Sequence, residues 1–197
     1  MARAAGLDPL EFRLGNAKDP RVISVLRAVA RASNWTPRSA IRKDGRGRGL
    51  AMGADAGAYV AHVADVVVDR STGAVKVEKI WCAQDMGIVV NPRGAEIQAE
   101  GAITMGLGAC FSEEIHFQGG KIATNNFDTY SFAKMSWTPE IEVTLVPNDR
   151  LDPQGGGEPG IINMGAVIAN AIYDATGARM TRLPMTPERV LAEIRKV

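Results

Sequence analysis

The chain is poor in the residues that most often build metal sites and disulfide frameworks. Its 197 residues include two histidines and two cysteines, with no HExxH and no CxxC motif. A zinc site made by the protein alone is therefore not expected, and we assign no metal ligand to any residue. Cys82 and Cys110 are 28 positions apart. Two such thiols in apolar surroundings are more often buried and inert than paired.

The chain also lacks an excess of either charge and lacks long apolar runs. There are 23 Lys and Arg against 22 Asp and Glu, so the formal net charge is +1. This balance gives no electrostatic reason to expect nucleic acid or an anionic membrane as a partner. No segment is apolar enough to span a bilayer, and the first 20 residues lack the apolar core of a signal peptide. We expect no direct membrane insertion, and a location in the cytoplasm or the periplasm through a partner stays open.

Apolar periodicity divides the chain into two parts. Residues 21–34 place apolar side chains at helical spacing, and residues 36–49 are polar, basic and rich in glycine, which is typical of a linker. We therefore predict an N-terminal helical segment and basic linker over residues 1–48. Residues 49–197 are predicted to form one α+β domain.

The second part alternates hairpins with single helices. β-Branched runs predict strands over 59–69 and 74–83, turning at Gly73, and a helix over 92–105 starts after Asn91. Further elements are a hairpin at Gly119 and Gly120, a strand over 140–147, a helix that ends at Gly177 and a last helix capped by Thr186. This order predicts an α+β fold, a mixed sheet with hairpins and with helices packed on one side.

The stretch "GGGEPGII", residues 155–162, holds one carboxylate, Glu158, between three glycines and Pro159. Glycines let the backbone approach a neighbour closely, and proline biases the preceding acid toward extended geometry. A simpler interpretation is an acid that caps the next helix. Glycines before a helix also occur in phosphate-binding loops, but the chain has neither GxGxxG after a strand nor GK[ST]. A nucleotide-binding domain is therefore a weak alternative.

Several ordered motifs resemble one enzyme family. They are "QDMGIVVNPRGAEIQAEGAITMGLGACFSEEI", "TNNFDTYSF", "PEIEVTLVPND" and "GGGEPGIINMGAVIANAIYDATGARMTRLPMT". In this order they resemble the C-terminal part of the molybdenum-binding large subunit of the xanthine dehydrogenase and aldehyde oxidase family, particularly the isoquinoline 1-oxidoreductase beta-subunit type. "GLDPLEFRL" and "DPRVISVLRAVARASNW" are similar to the helical segment before that region. The resemblance covers nearly the whole chain.

The resemblance implies a fold like the molybdenum-cofactor-binding domain and a role for named residues. Glu158 matches the glutamate of the family's G-G/V-G-E-P loop, which is the catalytic base. Met105, Gly106, Gly156 and Gly157 match positions at the cofactor. Many relatives have Gln where this chain has Met105, so a side-chain hydrogen bond at that position is in doubt, whereas backbone contacts are not affected.

The resemblance also implies cofactors and partners beyond this chain. The cofactor is a molybdopterin, expected as molybdenum cytosine dinucleotide, and it is shared with an upstream half of the large subunit whose glycine loops have no match here. Iron–sulfur clusters are expected on a small two-cluster partner subunit, and the substrate is a small aldehyde or N-heteroaromatic molecule. We expect the isolated chain to be inactive, metal-free and prone to self-association. The alternative function is a non-catalytic assembly module that completes the fold of another subunit.

Overall fold

The computed structural model describes all 197 residues. Its helices are α1 (Pro9–Asn16), α2 (Pro20–Ala32), α3 (Pro92–Phe111), α4 (Met164–Thr176) and α5 (Pro187–Ile194). Its strands are β1 (Arg46–Asp55), β2 (Ala58–Val68), β3 (Val75–Asp85), β4 (Phe117–Gln118), β5 (Lys121–Ile122) and β6 (Glu140–Leu145). None of the helices combines the length and the apolar character that a membrane crossing requires.

The main sheet has four strands in the order β1-β2-β3-β6. The first two pairs are antiparallel, and β6 runs parallel to β3. The predicted hairpin is β2–β3, with Gly73 at a φ of +79° beside the turn, and the second predicted hairpin is the short pair β4–β5. The prediction of an α+β fold with a mixed sheet is confirmed.

Helices cover both faces of the sheet. On one side, which we call the α4 face, sheet residues such as Val60 and Ile80 share a hydrophobic cluster with residues of α3, α4 and α5. All helices after residue 49 therefore pack on one side, as predicted. The opposite side, the α2 face, is covered by α2, whose Leu26 and Val29 pack with Val63 and Trp81. The sequence did not predict this second layer, and the division at residues 48 and 49 stays a prediction.

The glycines of the predicted linker belong in part to β1, so the linker prediction for residues 36–49 is wrong at its end. β1 begins at Arg46, and α4 lies so close to it that a side chain at Gly47 would overlap the carbonyl oxygen of Ala171. Gly49 meets the carbonyl oxygen of Val167 in the same way. Glycine serves here as a contact surface between a strand and a helix rather than as a flexible joint.

The helix predicted over 92–105 continues to Phe111. Gly106 and Gly108 are unfavourable in a helix interior, but both are buried in close contacts with other parts of the chain. These contacts offset the cost of the glycines. The two thiols behave as expected: Cys82 and Cys110 are buried and free, and burial raises the pKa of each to about 12.

Candidate active site

Glu158 lies on a segment that crosses the end of the main sheet, residues 154–163, called here the Glu158 segment. At its start, the backbone N–H of Gln154 donates to the carbonyl oxygen of Met86 (2.8 Å), and that of Gly155 donates to the carbonyl oxygen of Ala56 (3.1 Å). The segment is thus attached both to the end of β3 and to the turn between β1 and β2.

Two glycines of the segment lie very close to these neighbours. A Cβ atom at Gly155 would lie 2.6 Å from Cβ of Ala56, and one at Gly156 would overlap the end of the Met86 side chain. The carbonyl oxygen of Gly156 also accepts a hydrogen bond from Nε2 of Gln84 (2.9 Å). The backbone before Glu158 is therefore held from three directions.

The residues after Glu158 pack against α3. Pro159 and Gly160 are buried, and a Cβ atom at Gly160 would lie 3.0 Å from Cβ of Ala102. The N–H of Ile161 donates to the carbonyl oxygen of Glu158 (2.9 Å), which closes a tight turn. The segment is fixed on both sides of Glu158.

Glu158 itself is exposed. The following helix, α4, has Asn163 as its N-cap residue and begins at Met164 without a side-chain capping bond. Glu158 is therefore not the helix cap that the simpler interpretation of "GGGEPGII" requires. The chain provides a carboxylate that faces outward from a fixed backbone.

The predicted site residues fall into a loop group and a helix group. Gly156, Gly157 and Glu158 are consecutive in the loop, and Gly106 of α3 packs against Met164 and Ile161, just after the loop. A cleft of about 420 Å³ runs between α3, α4 and residues 180–185, lined by Gly106, Ile161, Ile162 and Leu183 among others. The neighbouring Met105 is 66 % exposed.

Asp85 is a buried residue beside the site that sequence analysis did not identify. Arg21 of α2 forms two hydrogen bonds to its carboxylate (2.9 and 3.0 Å), and the N–H of Gly87 donates a third (3.1 Å). Burial raises the pKa of Asp85, but the hydrogen bonds from Arg21, Gly87 and Asn148 outweigh burial and lower it. The pair attaches α2 to the end of β3, and the only sequence signal was the polar "QD" at the end of an apolar strand.

Comparisons with known proteins identify the family. A family profile described as "Molybdopterin cofactor-binding domain" matches residues 27–139, a range that contains Met105 and Gly106 and ends before Glu158. One of the subunits of nicotinate dehydrogenase from Pseudomonas putida is 36% identical over 208 residues, covering 98% of this chain and 18% of the relative. The beta chain of isoquinoline 1-oxidoreductase from Brevundimonas diminuta is 36% identical over 197 residues, covering 100% of this chain and 25% of the relative.

A solved structure supports the same relationship. The aldehyde oxidoreductase from Desulfovibrio desulfuricans matches 69% of this chain with a TM-score of 0.63 and 30% sequence identity, over 15% of its own length. The chain thus spans a quarter or less of the length of these three relatives. Because the profile matches more than half of the chain and the fold agrees, the chain belongs to the molybdopterin-binding large subunits of the xanthine dehydrogenase and aldehyde oxidase family.

Proposed function

We propose that this chain is the portion of a molybdenum hydroxylase that carries the catalytic base, and that the enzyme oxidises aldehydes or N-heteroaromatic molecules with oxygen from water. The observation that carries the proposal is the geometry of Glu158, an exposed carboxylate between two stretches of backbone that are held in place. The names of the relatives include an aldehyde oxidoreductase and enzymes named for nicotinate and isoquinoline. These names support both substrate classes.

The residues at the site fit a large cofactor that approaches from outside this chain. A Cβ atom at Gly157 would meet only Oε1 of Gln98, at 3.9 Å, and one at Gly101 on α3 would meet nothing within 4 Å. Another molecule can therefore come close to the backbone at both glycines. We propose that Gly156, Gly157 and Met105 contact a molybdopterin, in the form of molybdenum cytosine dinucleotide, through their backbone atoms. Gly106 is buried against Met164 and Ile161, so its part in this proposal is to let α3 pack closely beside the loop. When bound, this cofactor supplies the two-electron oxidation and the activated oxygen.

In this proposal the task of Glu158 is proton transfer. One of its carboxylate oxygens accepts the proton that the water-derived oxygen loses as it adds to the substrate carbon. A positioned base typically contributes 10²- to 10⁴-fold to the rate. The fixed backbone on both sides of Glu158 reduces the reorientation that the base needs before it reacts, which is the usual advantage of a rigid site.

Several apolar side chains are exposed, and they support the proposal that this chain contacts other subunits. Val90, Phe127 and Met135 are 80%, 88% and 87% exposed. Apolar side chains that are this exposed would gain free energy by burial against a partner. We propose that they contact the remainder of the large subunit, with iron–sulfur clusters on a separate small subunit, and that the isolated chain has no activity. The same surface also favours the alternative, an assembly module without a catalytic role.

Glu158→Gln in the assembled enzyme separates these two functions. The amide keeps the size of the side chain but removes its basicity. We therefore expect kcat to fall by about 10²- to 10⁴-fold while molybdenum content stays at the wild-type level. Asp152→Asn is the matched control, because Asp152 is also exposed and precedes the same loop. Unchanged kcat at full metal loading in Glu158→Gln would leave only the assembly function.

A further inference from the structure

Three buried polar side chains lie on or against the α4 face of the sheet. They are His62 of β2, Gln84 of β3 and Asn163 before α4, and at most 5% of any of them is exposed. In the sheet register His62 pairs with Cys82, and Val60 pairs with Gln84. His62 and Gln84 are therefore diagonal neighbours on the same face of the sheet. Gln84 is the second-last residue of β3 and so lies near one end of the sheet.

Gln84 and His62 contact the two ends of the Glu158 segment, whose last residue is Asn163. Near its start, Nε2 of Gln84 donates to the carbonyl oxygen of Gly156 (2.9 Å). At its end, Nδ1 of His62 forms a short hydrogen bond with Oδ1 of Asn163. Burial lowers the pKa of His62 to about 4, so the ring is neutral at pH 7. Since Oδ1 only accepts, Nδ1 carries the ring proton and donates it.

Each of the three side chains has one polar atom with a hydrogen-bond partner and one without. Nε2 of His62, Oε1 of Gln84 and Nδ2 of Asn163 are buried without a hydrogen-bond partner. Most buried polar atoms in proteins have at least one hydrogen-bond partner. Each of the three nevertheless has one atom bonded to another of the three or to the Glu158 segment. The polar atoms that do have partners are the ones that hold this segment.

We propose that Gln84 and His62 are positioning residues for Glu158, and that they fix the two ends of its segment to the sheet. This inference rests on the proposed function for its catalytic consequence, whereas its structural part is tested on the isolated chain. Gln84 fixes the backbone two residues before Glu158, and His62 fixes Asn163, five residues after it. The turn between them then fixes the backbone from which the Glu158 side chain projects.

Hydrogen–deuterium exchange of the 197-residue chain tests the structural part. Gln84→Met keeps an unbranched side chain of similar length but removes the donor to Gly156. We expect amide exchange in residues 154–163 to become at least tenfold faster, while β2 and the second half of α4 change less than twofold. Ile80→Val is the control, because it perturbs the same strand and the same cluster without touching the segment. Equal exchange of the segment in Gln84→Met and in Ile80→Val would overturn the proposal.

His62 gives a second test that does not depend on Gln84→Met folding. His62→Gln keeps an N–H donor for Oδ1 of Asn163, whereas His62→Leu has a similar volume and no donor. We expect exchange at residues 160–164 to stay within twofold of wild type in His62→Gln and to rise at least tenfold in His62→Leu. The same exchange rates in both variants would exclude a role for this hydrogen bond.

Kinetics of the assembled enzyme separate a failure of this inference from a failure of the proposed function. We expect Gln84→Met at full molybdenum loading to lower kcat at least tenfold and to change KM less than threefold, because substrate binding does not need the carboxylate in place. A slow Glu158→Gln enzyme beside a fully active Gln84→Met enzyme would overturn only the positioning role. Full activity of Glu158→Gln, with faster exchange in Gln84→Met, would overturn the proposed function and retain the attachment of the segment.

Discussion

The two faces of the main sheet differ in the hydrogen bonding of their buried polar atoms. On the α2 face, apolar side chains such as Val63 and Trp81 fill the interface, and the buried Asp8 beside them accepts hydrogen bonds from Leu10, Glu11 and Arg38. On the α4 face, the cluster includes three buried polar atoms without a partner, and all belong to residues that hold the Glu158 segment or one another. The α2 face thus surrounds its buried carboxylate with several donors, whereas the α4 face, which holds the larger hydrophobic cluster, leaves polar atoms unpaired beside the Glu158 segment.

The largest expected effect comes from removing the largest side chain of the α2 face. Trp81 is buried against α2, and Trp81→Ala is expected to lower the free energy of unfolding by about 3–5 kcal/mol, measured by urea denaturation. Trp81→Phe should lose much less, because it keeps most of the packing. A loss below about 1 kcal/mol in Trp81→Ala would show that the packing of Trp81 against α2 contributes little to stability.

A smaller effect is expected from pH on the α4 face. Burial lowers the pKa of His62 to about 4 from its ordinary value of 6.5, so below about pH 6.5 the unfolded chain binds a proton that the folded chain does not. As the pH is lowered from 6.5 to 4, the free energy of unfolding should therefore fall by about 1.4 kcal/mol per pH unit, roughly 3 kcal/mol in total.

His62→Gln removes this titration and serves as the control. The difference in unfolding free energy between wild type and His62→Gln should be constant above pH 7 and should change steadily from pH 6.5 to 4. A difference that stays constant from pH 7 to pH 4 would show that the ring is not held neutral in the cluster.

The smallest expected effect concerns two glycines on opposite sides of α3. Gly101 is exposed and has no neighbour within reach, so Gly101→Ala should stabilise the chain by about 0.5–1 kcal/mol through better helix propensity. Gly106 is buried, and a Cβ atom there would lie 2.5 Å from Cγ of Met164, so Gly106→Ala should destabilise. Thermal unfolding of both variants measures the contrast, and a destabilising Gly101→Ala would contradict the open position assigned to Gly101.

Local patterns in the sequence predict much of this fold. The β2–β3 hairpin, the start of α3 after Asn91 and the end of α4 at Gly177 each depend on a turn or cap residue that acts within a few positions. β1 escaped prediction because Gly47 and Gly49 serve a contact with α4, more than 100 residues away. Close packing against a distant helix has no local signature, and in the sequence such glycines are indistinguishable from those of a linker.

Only part of the candidate site could be predicted from the sequence. Glu158 was identified through its glycine loop and the family resemblance, and the structure adds that its carboxylate is exposed while its backbone is held. Gln84, His62 and Asp85 were missed, because a single polar residue in an apolar strand gives no sign of which distant backbone it contacts. Two of them, Gln84 and His62, lie on the same face of the sheet and form hydrogen bonds with the Glu158 segment.

The central claim, that the chain presents Glu158 as a base, is tested most directly by the reductive half-reaction of the assembled enzyme. Metal-loaded wild type, Glu158→Gln and Asp152→Asn are mixed rapidly with excess substrate in the absence of an electron acceptor, and reduction is followed by absorbance. This measurement isolates the chemical step from later electron transfer. We predict that Glu158→Gln is reduced about 10²- to 10⁴-fold more slowly than wild type and that Asp152→Asn is reduced at the wild-type rate. Reduction of Glu158→Gln within twofold of the wild-type rate would contradict the claim.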